Sequence, residues 1–230
     1  MNILAIESAA KSAGAAVFCD GVLLAESFLN NGLTHSVTLM EAVDTVLGKA
    51  GKTVADMDVI GVDAGPGSFT GIRIGLGTAK GLALGADKKI APVSSLLSLA
   101  YNVSAAEGQT VVPIMDARRG EVYTATYKIE GGVPKEVVPM RAMPLSDLLE
   151  ETETALFVGD GTEVHRQTIL EKMGARACFA PPHLAHHRAS SVAMAATAVK
   201  AVSVHAAAPI YLRLAQAERE WNEKHLKGDI

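Results

Sequence analysis

Aromatic residues are scarce in this 230-residue chain, at 4% against a hydrophobic share of 49%, so its core has to be built from Ala, Val, Leu and Ile with few rings. Cysteine is nearly absent as well. Cys19 and Cys178 stand far apart in sequence, and the N-terminus shows no charged segment followed by an apolar stretch and a cleavage site. A cytoplasmic protein with free thiols is the expectation. A basic excess is missing too: the formal net charge of −4 argues against broad nucleic-acid binding by the chain alone, though not against membership of a complex that binds it. No apolar run is long enough and uncharged enough to cross a membrane, since the best stretch carries Arg73 and Lys80. Finally, no His-Glu-x-x-His pattern is present, which removes the usual zinc peptidase signature.

What the chain has in quantity is glycine, concentrated between residues 59 and 85. An apolar run stops at Asp63, a Gly65-Pro66-Gly67 turn follows, and a helix opens after Ser68, which is placed to cap it. Strand, tight loop and helix make a geometry that suits phosphate, with Gly65 and Gly67 allowing close backbone approach; a plain capped turn fits equally well. The helix itself is harder to explain locally. Gly71, Gly75, Gly77, Gly81 and Gly85 each cost about 0.8–1 kcal/mol relative to alanine, and Gly77, Gly81 and Gly85 share one face. Such a helix implies close packing, within the chain or at an interface.

Around this stretch the chain reads as an α/β protein of two lobes, divided near Ala105-Ala-Glu-Gly108 into residues 1–105 and 106–230. Strands at Asn2–Glu7, Gly14–Cys19 and Val22–Phe28 open it, the last two joined by an Asp20-Gly21 hairpin turn. Thr34-His35-Ser36 precedes a helix running to about Gly48 that is apolar on more than one face, with Thr38, Glu41 and Thr45 as its polar stripe. After the glycine helix come a strand at Ile90–Val93 and a helix from Ser94. The second half repeats the order: strands at Val111–Met115, Val122–Ile129 and Val133–Met140, a helix at Leu145–Glu151, a strand at Leu156–Val158 and a helix at Thr162–Met173. A Ser190–Ser203 helix, the Pro209–Arg213 segment and a charged surface helix over Glu218–Asp229 complete it. The β-β-β-α-β-α pattern in tandem describes two RNase H-like units, the actin/Hsp70/sugar-kinase (ASKHA-type) architecture, with the last helix free to pack back across to the first lobe.

Taken together, Ile3-Leu-Ala-Ile-Glu7, His35-Ser36, Gly65-Pro-Gly-Ser-Phe-Thr-Gly-Ile-Arg-Ile-Gly75, Asp116-Ala-Arg-Arg-Gly-Glu-Val-Tyr123, Gly159-Asp-Gly161 and Pro209-Ile-Tyr-Leu-Arg213 resemble the TsaB/YeaZ family of bacterial tRNA-modification proteins. The resemblance implies a non-catalytic platform for the related transferase TsaD, which places threonylcarbamoyl on the tRNA adenosine beside the anticodon. It also implies that the ATPase TsaE joins a larger assembly, that tRNA is met only through the complex, and that the chain pairs with itself when alone. On this reading the partner interface draws on His35, Ser36, Leu39, Met40, Val43 and Leu47 of the first helix, and on Arg73, Gly77, Lys80, Gly81 and Leu84 of the glycine helix. No cofactor is required by the chain itself, and ATP or ADP belongs at a complex interface.

Two departures bear on chemistry. Where TsaD carries two metal-ligating histidines at i and i+4, this chain has Ser95 and Leu99, neither able to serve. The first loop reads Glu7-Ser-Ala-Ala10, where relatives have hydroxyl residues able to face phosphate. The rival reading, an ATP-using enzyme of the same fold, would draw on Glu7, Ser8, Gly65, Gly67, Ser68, Gly159 and Gly161 as nucleotide or phosphate contacts, with Glu7, Asp63 and Asp116 as candidate acids. A glycoprotease-like metallopeptidase is weaker still. Gly159 and Gly161 fit inherited turn geometry better than an adenine contact. The turn with Asp116, Arg118, Arg119 and Glu121 suits a phosphate, a protein partner or an internal ion-pair network alike. His183, His186 and His187 read as a surface loop rather than a metal site, and His35 as a polar helix-start or interface contact.

Overall fold

The computed structural model describes residues 1–32 and 35–213, so the expected helix over Glu218–Asp229, and Thr34 ahead of the first helix, lie outside the described residues. Three strands open the chain, β1 (Asn2–Glu7), β2 (Ala13–Cys19) and β3 (Val22–Leu29), followed by α1 (His35–Ala50), β4 (Val59–Asp63), α2 (Phe69–Gly85) and β5 (Lys89–Val93). Then come α3 (Ser95–Asn102), β6 (Thr110–Asp116), β7 (Glu121–Glu130), β8 (Val133–Pro144), α4 (Leu145–Glu151), β9 (Ala155–Val158), α5 (Gly161–Met173), β10 (Ala177–Phe179) and α6 (Ala189–Ala196).

The strands form two five-stranded sheets of the same plan, β3-β2-β1-β4-β5 and β8-β7-β6-β9-β10. In each, three antiparallel strands precede two parallel crossovers, as the repeated pattern requires. The β2–β3 turn closes through Asp20 at φ 48° and Gly21 at φ 85°, the left-handed pair that a two-residue hairpin needs. The central strands β1 and β6 are covered on both faces and read as continuous apolar runs for that reason. Leu4 and Ile6 of β1 point into a core with α1 and α2, while Ile3 and Ala5 point into a second core with α6.

The layers run from α1 and α2, through the first sheet, to α3 and α6 side by side, then the second sheet, then α4 and α5. The two middle helices are exchanged between halves. Leu96, Leu99 and Ala100 of α3 pack on the second sheet, although α3 follows β5 of the first. Val192, Ala193 and Ala196 of α6 pack on the first, close enough that a Cβ at Gly61 of β4 would lie 3.0 Å from that of Ala196. An alanine-rich helix permits that approach. It is also shorter than Ser190–Ser203, because Val199 and Ala201 are needed in one core of the first sheet and Val202 and Val204 in the other. Between them Val202 pairs with Ile90 and shields the β5 edge. Among the described residues, no helix is long and apolar enough to cross a membrane.

Candidate functional site

Two surfaces gather the residues singled out by sequence. The first is the outer face of α1 and α2, which lie together on the first sheet. Leu39, Val43 and Leu47 are not on it: they are buried in the chain's own core, and so is Thr38 of the expected polar stripe. These three leucine and valine side chains therefore cannot meet a partner directly. The exposed apolar groups of α1 are Met40, at 43% exposure, and Val37, at 71%, a residue the sequence reading did not single out. Ser36 is exposed beside them, and His35 instead ties the helix start inward, its Nε2 donating to the Ala10 carbonyl at 2.8 Å.

On α2 the glycines divide into two sets. A Cβ at Gly71 would strike the Ser8 carbonyl and one at Gly75 the Ser8 hydroxyl, which itself donates to the Gly71 carbonyl at 2.9 Å. Those two glycines serve the first loop. Gly77, Gly81 and Gly85 have nothing within 4 Å of a Cβ position, so nothing among the described residues explains them. They lie exposed or nearly so in a row with Arg73, Lys80 and Leu84, the last 68% exposed.

The second surface is a cleft of about 580 Å³ whose walls come from both halves. Lys11, Gly67, Ser68 and Phe69 line one side, Asp116, Arg118, Tyr123 and Asp160 the other, and Tyr211 and Arg213 pass across it. The strap is fastened at each end. Ile210 N–H donates to the Ala64 carbonyl at 2.7 Å, and Tyr211 stacks on Phe69 with centroids 5.0 Å apart. Arg73 Nε donates to the Tyr211 hydroxyl at 3.0 Å. Arg213 forms an ion pair with Glu121 and donates to the Ala117 carbonyl at 3.3 Å. Gly65 is glycine because the Ile210 carbonyl would lie 2.5 Å from a Cβ there, and its φ is 110°.

Most of the residues assigned to nucleotide contact do not reach this cleft. Glu7 and Ser8 are buried beneath its wall. Glu7 sits beside Asp63, and burial first, then the neighbouring carboxylate, hold its pKa well above the ordinary range. Asp63 accepts from Gly65 N–H at 3.0 Å and from the Ser95 hydroxyl, so Ser95 is occupied structurally; Leu99 is core. Ser68 caps α2 as expected, accepting from Gly71 N–H at 3.2 Å, yet its own N–H donates to the Ala9 carbonyl at 2.7 Å and is unavailable to an anion. At Gly159 and Gly161 a Cβ would press on the Ile114 carbonyl, so close strand packing accounts for both glycines.

Between them stands Asp160, which no sequence motif marks as a site residue. It lines the cleft, its Oδ1 has no hydrogen-bond partner among the described residues, and burial raises its pKa. The histidine cluster is dispersed: His183 is exposed, His186 approaches Glu163 at 3.1 Å, and His187, expected at the surface, is wholly buried with its pKa lowered by that burial.

Two mixed sheets of this order, with a strapped cleft between them, define a two-lobed α/β protein of the actin-like fold. Residues 30–221 match the family described as TsaD: tRNA N6-adenosine threonylcarbamoyltransferase. The tRNA threonylcarbamoyladenosine biosynthesis protein TsaB of Bacillus subtilis is 37% identical over 97% of this chain and 99% of its own. YeaZ from Pseudomonas aeruginosa superposes with a TM-score of 0.76 at 25% identity, over 92% of this chain and 99% of that one. The (R)-2-hydroxyglutaryl-CoA dehydratase component A of Acidaminococcus fermentans, 13% identical, shares the fold at a TM-score of 0.50 over 86% of this chain and 97% of its own. The chain belongs to the TsaB/YeaZ family.

Proposed function

We propose that this chain acts in the biosynthesis of threonylcarbamoyladenosine in tRNA, as the non-catalytic platform on which TsaD is held. The observation that carries this reading is the open row of Gly77, Gly81 and Gly85 beside exposed Leu84, Met40 and Val37. Glycines in a helix interior lower its stability by about 0.8–1 kcal/mol each unless a neighbour needs the space, and no described neighbour does. Two helices of a partner fit that face as a four-helix layer. A second copy fits it when TsaD is absent, because exposed acids on α1, Glu41 and Asp44, and a base on the adjoining α2, Lys80, give the face charges of both signs for a two-fold pair.

A non-catalytic role is supported by the absence of the histidine pair and by the internal use of Ser8, Ser68 and Ser95. The chain needs no cofactor of its own on this reading. ATP or ADP would be held where chains meet, TsaE would join the assembly, and the cytoplasm is its place of work.

The test is light scattering coupled to size-exclusion chromatography, with the native chain and Gly81→Leu, each alone and mixed with TsaD. The native chain should run as a dimer alone and form a mixed complex, which the leucine weakens by wedging the helices apart. No complex from folded native partners would remove the platform reading and leave ATP turnover as the assay to run. A folded Gly81→Leu that binds as well as native keeps the platform and moves the interface elsewhere.

A further inference from the structure

The mouth of the interlobe cleft concentrates unpaired positive charge on a chain whose net charge is negative. Lys11 projects from the β1–β2 loop, and Arg118 and Arg119 from the β6–β7 turn, all three exposed. Among the described residues, none of these side chains makes a hydrogen bond or an ion pair, although Lys11 is near enough to Asp160 to influence it. Asp160 Oδ1 is buried and has no partner among the described residues, whereas the other acids nearby are engaged. Glu121 pairs with Arg213, Glu163 with His186, and Asp116 accepts from Arg118 N–H at 2.9 Å while standing 3.5 Å from His165.

The arginine turn is held in this form at a conformational cost. Arg118 and Arg119 have φ of 64° and 55°, a left-handed conformation that side chains other than Gly, Asn and Asp rarely adopt. The Asp116 carboxylate and the Ala117–Glu121 and Arg118–Glu121 backbone bonds fix it, leaving both guanidinium groups outward. Aromatic surface lies alongside: Phe69 and Tyr211 are stacked and partly exposed, and Tyr123 lines the cleft. Unpaired cations interleaved with exposed rings fit a single strand of nucleic acid, whose phosphates take the charges and whose bases take the rings.

We propose that this mouth is a contact site for the phosphodiester backbone of RNA, adding to the grip of a partner rather than binding broadly alone. It rests on the platform reading above. Phe69 and Arg73 place the mouth at the N-terminal end of α2, so it continues directly from the glycine face where TsaD is proposed to dock. An RNA held by that partner can run on across Lys11, Arg118 and Arg119.

The experiment is fluorescence anisotropy of a labelled RNA hairpin with a single-stranded loop, titrated with the complex of this chain and TsaD across a salt series. Changing Lys11, Arg118 and Arg119 together to Glu should weaken binding at least about tenfold and make the log–log salt slope shallower by about two, at roughly 0.7 per neutralised phosphate on a single strand. Arg119→Glu alone, at an exposed position, should lower the slope by about 0.7 without affecting folding. Lys200→Glu, exposed and not part of the cleft lining, should bind as native. Chromatography of each variant with TsaD separates the two readings. A triple variant that still forms the complex yet binds RNA as tightly as native overturns the RNA contact and spares the platform. A native chain that does not associate with TsaD overturns the platform, and RNA titration of the chain alone then decides this proposal. If ATP or inorganic phosphate raises the melting temperature of the native chain but not of Lys11→Glu, while RNA binding is unchanged, the mouth is a small-anion site and the proposal fails.

Discussion

Glu7 and Asp63 end two adjacent parallel strands, and both are excluded from water. Two carboxylates so placed cannot both ionise cheaply, and the rise in the Glu7 pKa means that the folded chain keeps a proton there which the unfolded chain releases. Between the unfolded and folded pKa values the unfolded state binds fewer protons, so stability falls as pH rises through that window. Gln mimics the protonated acid, keeps an acceptor for Ala9 N–H and offers Asp63 a donor. Glu7→Gln should therefore melt close to native near pH 4.5 and above it at pH 8. A gap of roughly 2–4 °C corresponds to about 1 kcal/mol for a chain of this size. His187 contributes the opposite slope, losing stability as pH falls below the ordinary histidine range, but it is common to both proteins and cancels in the difference. A gap that stays constant from pH 4.5 to 8 would show that Glu7 is ionised in the folded chain. Nothing in the sequence pairs Glu7 with Asp63; the parallel register of β1 and β4 does.

Five glycines in α2 look alike in sequence, and the fold assigns them opposite properties. Alanine at Gly71 would press on the fixed Ser8 backbone, an overpacking that costs about 1–3 kcal/mol, whereas at Gly81 it meets open space and gains about 0.8–1 kcal/mol of helix propensity. Calorimetry at concentrations low enough to keep the chain monomeric should show Gly71→Ala melting below native and Gly81→Ala above it. A Gly81→Ala chain that is less stable when monomeric would place a neighbour over that face within the chain itself. The α1 pattern shows a similar limit of legibility. Its wide apolar stripe is real, but Leu39, Val43 and Leu47 are used internally, and only a rotation of one position, to Met40 and Val37, reaches the surface. Capping chemistry at Ser68, the Asp20-Gly21 turn and most element bounds were readable because each follows from local physics. The three-residue β10 was not, since a strand that short has too few residues to show a period.

At the scale of the molecule, the repeated β-β-β-α-β-α order made the tandem architecture readable, while the exchange of α3 and α6 was not, because an apolar helix does not say which sheet it covers. That exchange governs whether the halves are autonomous. Cut after residue 105, the first half keeps β1 to β5 and loses α6, so Ile3, Ala5, Ala16 and Val59 would face water on one side of the sheet. It would also carry α3, whose Leu96, Leu99 and Ala100 belong to the other half's core, and it would lack the strap that holds Ile210 against Ala64. Uncovering one face of a five-stranded sheet removes several side-chain burials, each worth about 1.5–3 kcal/mol, against a total stability of about 5–15 kcal/mol for a typical protein. A fragment of residues 1–105 should therefore show no cooperative melting transition and poor amide dispersion by NMR. Adding residues 106–230, refolded together with it, should restore both. A fragment that melts cooperatively by itself would instead make residues 1–105 an independent folding unit and the exchanged helices a late, dispensable embrace.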